Sequence, residues 1–205
     1  MSEFDIKAND WDKNSANLER ARGIANQLLM TIPFRPGMKV MEFGAGTALL
    51  SFMLHDLFSS VTLVDNSGEM IRICNEKILQ TKTKHIQALK LDLEQEQFED
   101  KFDMIYTQMA LHHVSDVSNM IFRFHHLLND KGILVIADLY PEDSTFHDNG
   151  FAGYKGFDPE WLSTLLNQAG FEKITYNECF IQKKIDSEGN EKKYPVFLMI
   201  ANKRG

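Results

Sequence analysis

The sequence predicts an α/β fold, with a seven-stranded, mostly parallel sheet between two helical layers and an antiparallel hairpin at its C-terminal end. Three observations predict it. From Lys39 to Asp138, short β-branched or apolar runs alternate with segments of helical periodicity, the pattern of parallel strands joined by crossover helices. The first run, Met38-Lys39-Val40-Met41-Glu42-Phe43, turns through Gly44-Ala45-Gly46 directly into a helical pattern. The last two runs are separated only by a polar turn, so they form a hairpin rather than a crossover. A chain of 205 residues without repeats, low-complexity tracts or linkers suits one domain, 1–205, with a sizeable core.

The elements follow in order. Phe4 to Asp12 is polar with isolated aromatics at Phe4 and Trp11. Leu18, Ala21, Ile24, Ala25, Leu28 and Leu29 recur at helical spacing over Ser15–Thr31, with Asn14 or Ser15 as cap and Pro33 and Pro36 beyond the end. Residues 1–35 thus form an N-terminal helical cover, in which Trp11 either anchors this helix or closes over a ligand site. Strands are expected at Lys39–Phe43, Val61–Asp65, Ile86–Leu91, Phe102–Tyr106 and Gly132–Asp138, and helices at Thr47–Phe58, Ser67–Thr81 and Val117–Leu128. Glu94–Lys101 reads as a polar loop and Asn129–Gly132 as a turn. The stretch 140–157 is long, polar and glycine-containing, as functional loops on the substrate side of such sheets are. Asp158-Pro159-Glu160 opens a helix that runs to Gln168 and stops at Gly170. Ile174–Ile181 and Tyr194–Ala201 are the hairpin strands, joined at Asp186-Ser187-Glu188-Gly189-Asn190.

Composition excludes several classes. The net charge is −7 and no long basic run is present, which argues against a nucleic-acid surface; Lys183-Lys184 and Lys192-Lys193 read as the solvated ends of the hairpin. Cys74 and Cys179 lie far apart and form no CxxC pair, so both are expected as buried or half-buried thiols in a reducing compartment. The acidic start is unlike a signal peptide, and no apolar run approaches the ~20 residues of a membrane span. The expectation is a cytoplasmic protein without membrane or nucleic-acid partners.

Gly44 and Gly46 let the chain turn tightly and a ligand lie against bare backbone, while the following helix offers free N–H groups and a positive dipole end. Asp65 stands at the end of the next strand, about 20 residues on, where an acid can hold ribose hydroxyls. A dinucleotide fingerprint would need a third glycine where this chain has Leu49. Glu42 would repel a pyrophosphate and favour an ammonium or sulfonium. Asp92, ending the third strand, suits an exocyclic amino group. Acids at three successive strand ends describe S-adenosylmethionine better than NAD.

The order of these features resembles class I S-adenosylmethionine-dependent methyltransferases. The resemblance is carried by Glu42-Phe43-Gly44-Ala45-Gly46-Thr47, Val64-Asp65-Asn66-Ser67-Gly68-Glu69-Met70, Leu91-Asp92-Leu93, Phe102-Asp103-Met104-Ile105 with Leu111-His112-His113-Val114, Leu128-Asn129-Asp130-Lys131-Gly132-Ile133-Leu134 and Ala169-Gly170-Phe171. It runs from Pro36 to the C-terminus and departs from the family pattern at Ala48, usually glycine, and at Glu42, often aspartate. It implies a Rossmann-like three-layer α/β/α sandwich. It also implies that Gly44, Ala45 and Gly46 pass under the methionine and ribose, and that Glu42 holds the methionine amino group. By the same resemblance Asp65 binds the ribose, Asn66 and Met70 border the adenine, Asp92 and Leu93 contact its edge, and Thr107 and Met109 face the methionine.

The activity so implied is in-line methyl transfer, in which the protein mainly aligns the acceptor and excludes water. His112 and His113 are either a general base or packing and capping groups, and no catalytic residue is assigned. His125 and His126 read as structural or solvated, whereas His147, Tyr154 and Lys155 either touch the acceptor or cover it. No HxxxH or carboxylate–histidine cluster appears at ligand spacing, so no metal is expected. Aromatics in both covers (Phe4, Trp11, Tyr140, Phe146, Phe151, Tyr154) suit a small, partly apolar acceptor. The alternatives are a non-catalytic cofactor-binding partner subunit and an NAD-dependent oxidoreductase.

Overall fold

The continuous apolar runs of the central strands need cover on both faces, and the observed architecture supplies it. The computed structural model describes residues 2–147, 150–185 and 189–205. Its strands are β1 Lys39–Phe43, β2 Ser60–Asp65, β3 Ile86–Lys90, β4 Phe102–Gln108, β5 Leu128–Leu139, β6 Phe171–Ile185 and β7 Glu191–Lys203. Its α-helices are α1 Glu3–Lys7, α2 Ser15–Thr31, α3 Leu49–Leu54, α4 Gly68–Thr81, α5 Val117–Leu127 and α6 Pro159–Gln168. The sheet order is β3-β2-β1-β4-β5-β7-β6. The first five strands pair in parallel, and β7 runs antiparallel between β5 and β6.

Successive β1 residues serve opposite cores. Val40 packs with Leu28 of α2, Leu50 and Leu54 of α3 and Cys74 of α4. Met41 packs with Phe124 of α5 and Leu162 and Leu166 of α6. The strand order reverses between β1 and β4, and in open α/β sheets that reversal leaves a crevice beyond the strands' carboxyl ends.

Several boundaries differ from expectation for identifiable reasons. Residues near the start are helical: α1 carries a capping box between Ser2 and Asp5, and Ala8–Lys13 continues as a 3₁₀ turn. The helix expected over Thr47–Phe58 begins only at Leu49, because Ala48 sits in the left-handed region at φ 63°, and it becomes 3₁₀ at His55. Strand β5 leaves α5 without an intervening turn; Leu128 pairs with Phe102 and the register then shifts before Ile133 meets Met104. The hairpin strands are longer than their apolar centres, since cross-strand pairing continues to Lys183↔Lys193 and Lys184↔Lys192. Asp186, Ser187 and Glu188 of its expected turn lie outside the described residues. Cys74 is buried and Cys179 half-buried, both as free thiols.

Candidate active site

The crevice at the β1/β4 reversal opens into a cavity of about 1040 Å³. Its floor is the turn after β1. Gly44 and Gly46 both have positive φ, and a Cβ on Gly44 would lie 2.3 Å from that of Ala110. Only glycine permits this approach. Asp65 reaches across from β2: one carboxylate oxygen accepts from Gly46 N–H and the other from Ser67 N–H, each at 2.8 Å. Burial raises its pKa, against the lowering effect of those two donors.

Of the residues expected in the site, Gly44, Ala45, Gly46, Asp65, Asn66, Met70, Asp92, Leu93 and Met109 line this cavity. Glu42 and Thr107 lie behind its wall. Glu42 is fully buried and accepts from Ser51 Oγ, which also meets Tyr106 OH at 2.5 Å. Its Oε1 has no hydrogen-bond partner, and burial pushes the carboxyl up to about 8 in spite of the Ser51 hydroxyl. Thr107 is buried, with its hydroxyl unpartnered. The neighbouring Gln108, on the face of β4 that carries Tyr106, lines the cavity with a buried, unpartnered Oε1. Met109 follows at φ 51°, its N–H bonded to Ala137 O.

The N-terminal segment forms the lid. Asp5 accepts from Ser67 Oγ at 2.6 Å, a hydrogen bond that holds its carboxyl below the usual range. Asp12 pairs with Lys77 of α4 at 2.6 Å and accepts from Thr47 Oγ1 at 2.5 Å. These contacts lay Phe4 and Trp11 along the cavity, with Trp11 over Gly46. Arg20 of α2 also lines it, buried, donating to the neutral Gln182 and Asn17, with its Nε unpartnered among the described residues and Asp138 near enough to act on its charge. Burial lowers its pKa to about 10. No periodicity distinguished Arg20 from the other polar residues of its helix.

The opposite wall is histidine-rich. His112 is buried beside Asp138 at the end of β5, with Nδ1 2.6 Å from Oδ1, and its backbone N–H reaches Oδ2 at 3.2 Å. Two residues that follow β5 meet this pair: Tyr154 N–H donates to His112 O, and His147 Nε2 comes within 3.1 Å of His112 Nε2. The His147 ring stacks on Phe151 at 3.7 Å, and Phe4 meets His113 edge-on at 5.0 Å. Burial, reinforced by His112, lowers the pKa of both His113 and His147. Phe4, Trp11, Phe146 and Phe151 line the cavity, whereas Tyr140 packs against Phe197 and Tyr154 against Phe157. His125 lies against Phe171, at the far side of α5 from the site.

A family model described as a methyltransferase domain matches residues 34–192. The chain belongs to the class I S-adenosylmethionine-dependent methyltransferase family. An uncharacterised methyltransferase of Schizosaccharomyces pombe is 29% identical over 152 residues, which are 66% of this chain and 54% of that protein. The malonyl-[acyl-carrier protein] O-methyltransferase of Bacillus anthracis is 25% identical over 90% of this chain and 63% of its own length. The methyltransferase domain therefore spans between half and two-thirds of these curated relatives. Among solved structures, a Haloferax volcanii methyltransferase in complex with its Trm112 activator superposes with a TM-score of 0.79 at 16% identity, covering 100% of this chain and 99% of that one. No described helix is long and apolar enough to cross a membrane.

Proposed function

We propose that this domain transfers a methyl group from S-adenosylmethionine to a small-molecule acceptor held between the N-terminal lid and the segment 140–157. The observation that carries the cofactor assignment is the set of buried polar atoms, in and behind the cavity wall, that have no partner among the described residues. Gln108 Oε1 on the wall and Glu42 Oε1 behind it are acceptors awaiting a donor, and Arg20 Nε on the wall is a donor awaiting an acceptor. Leaving such atoms unmatched is costly, and a zwitterionic amino-acid end matches both signs. Asp65 with the bare backbone of Gly44–Gly46 suits a ribose, and Asn66, Met70, Asp92 and Leu93 frame a flat base. The cofactor supplies a sulfonium methyl already activated for in-line displacement. The chain's own residues hold and orient: the lid excludes water, and the aromatic and imidazole walls position the acceptor.

A small acceptor is supported by the aromatic side chains that line the cavity and by a net charge of −7 without a long basic run. Calorimetry with S-adenosylmethionine, S-adenosylhomocysteine and NAD tests the cofactor. The two adenosyl ligands should bind and NAD should not; tight binding of NAD alone would overturn the assignment. Incubation with labelled cofactor and metabolite pools then tests transfer, and a non-catalytic partner subunit would bind cofactor yet label nothing.

A further inference from the structure

We propose that His112, His113 and His147 form a binding site for a zinc-class divalent cation at the acceptor end of the cavity, with Asp138 as the carboxylate behind His112. The three imidazoles present nitrogen atoms that all lie within 4.8 Å of one another. Two of them, Nε2 of His112 and Nε2 of His147, are already 3.1 Å apart. Two ligands of one tetrahedral zinc, at ~2.0–2.1 Å from the metal, stand about 3.3 Å from each other. The pair is therefore close to the spacing a shared ion requires.

Asp138 determines which His112 nitrogen is available. Its Oδ1 lies 2.6 Å from Nδ1, so Nδ1 carries the proton and the Nε2 lone pair faces the cavity. A buried carboxylate behind a ligating histidine orients the ring and makes it a better donor, as in carboxylate–histidine–zinc arrangements. Asp138 is itself fully buried, and the Arg20 guanidinium is a cation close enough to interact with it electrostatically. His147 Nδ1 has no hydrogen-bond partner, so no hydrogen bond from that side fixes its tautomer. The His147 ring is held by stacking on Phe151, and the His113 ring by edge contacts to Phe4 and Phe151 at 5.0 and 5.2 Å. Three nitrogen ligands leave a fourth position open, the arrangement of catalytic rather than structural zinc. All three histidines line the cavity, so that position faces the space assigned to the acceptor. A cation held there would lower the pKa of a thiol or hydroxyl acceptor, whose proton would pass to solvent. This last role rests on the methyl-transfer reading; the metal site does not.

The test is titration of tag-free full-length protein with Zn²⁺ by calorimetry, with metal content counted after dialysis. Wild type should take up one equivalent. His147→Ala, a loop change that leaves the sheet intact, should weaken binding at least tenfold, and Asp138→Asn by about 10–100-fold. A second group, His55, Asp56 and His85, shares no residue with this one and serves as control. His85→Ala should leave the uptake unchanged. No saturable uptake by wild type, equal uptake by His147→Ala, or loss of uptake in His85→Ala would each overturn the proposal. Titration of the same samples with S-adenosylhomocysteine reports separately on the cofactor assignment.

Discussion

Replacing Glu42 by glutamine should make the protein more stable at neutral pH, and the size of the gain should depend on pH in a defined way. Glu42 is fully buried, with one oxygen on Ser51 and the other unpartnered, so its ionised form lacks compensation in the free protein. Raising a carboxyl from 4.5 to about 8 corresponds to about 5 kcal/mol between its two protonation states. The native state therefore holds this proton more tightly than the unfolded chain does. The stabilisation from the neutral acid is fully present below pH 4.5 and is lost as pH rises to about 8. At pH 7 the loss is about 3 kcal/mol, and by pH 8.5 about 4 kcal/mol. Glutamine cannot ionise, so other titrating groups cancel in the difference between variant and wild type. Urea unfolding at pH 4.5, 7 and 8.5 should show that difference growing by those amounts. Parallel stability curves would refute the reasoning, since they would mean that Glu42 ionises in the fold without penalty. If the carboxylate also receives the cofactor's ammonium, S-adenosylmethionine should flatten the wild-type curve and bind Glu42→Gln more weakly.

Asp65→Asn leaves either Gly46 N–H or Ser67 N–H without its acceptor and weakens any ribose contact. Calorimetry should show S-adenosylhomocysteine affinity falling by about 10–100-fold, as expected for losing a hydrogen bond to a charged group. Gly44→Ala places a methyl 2.3 Å from Ala110 Cβ at a φ of +63° and should cost about 2–3 kcal/mol in chemical denaturation. Ala48→Gly should act oppositely: relief of the left-handed backbone outweighs the added chain entropy, for a gain of up to ~1 kcal/mol. Asp12→Ala removes the lid's link to Lys77 and Thr47. Limited proteolysis should then cut ahead of α2 faster, while global stability changes by less than about 1 kcal/mol, as for a partly exposed ion pair.

What could be read from the sequence was what local chemistry determines. β1, α2 and α6 were legible to the residue, because alternation, periodicity and the caps Asn14 and Asp158-Pro159 act within a few positions. The β/α rhythm and the closing antiparallel hairpin were legible too, and Asp65 and Asp92, read as strand-end acids, line the same cavity as the glycine turn. What escaped depends on distant partners. The five-residue α1 would not persist alone in water; it is held by Asp5 on Ser67, 62 positions away. Glu42 reads as a carboxylate close to the glycine turn, and what the sequence does not show is that its side chain lies behind the cavity wall, against Ser51, which also meets Tyr106. Arg20 was indistinguishable from a solvated helix residue until β6 brought Gln182 across it. The histidine cluster shows the limit most clearly. His112 and His113 were visible as a pair, but Asp138 and His147 lie 26 and 35 residues further on, in a strand and a loop with no ligand spacing to connect them. Their meeting follows from topology alone: β4 and β5 are parallel neighbours, so the chain leaving β4 and the chain leaving β5 emerge at the same edge. Residues that leave parallel neighbouring strands at the same end can build a site that no motif in the sequence spells out.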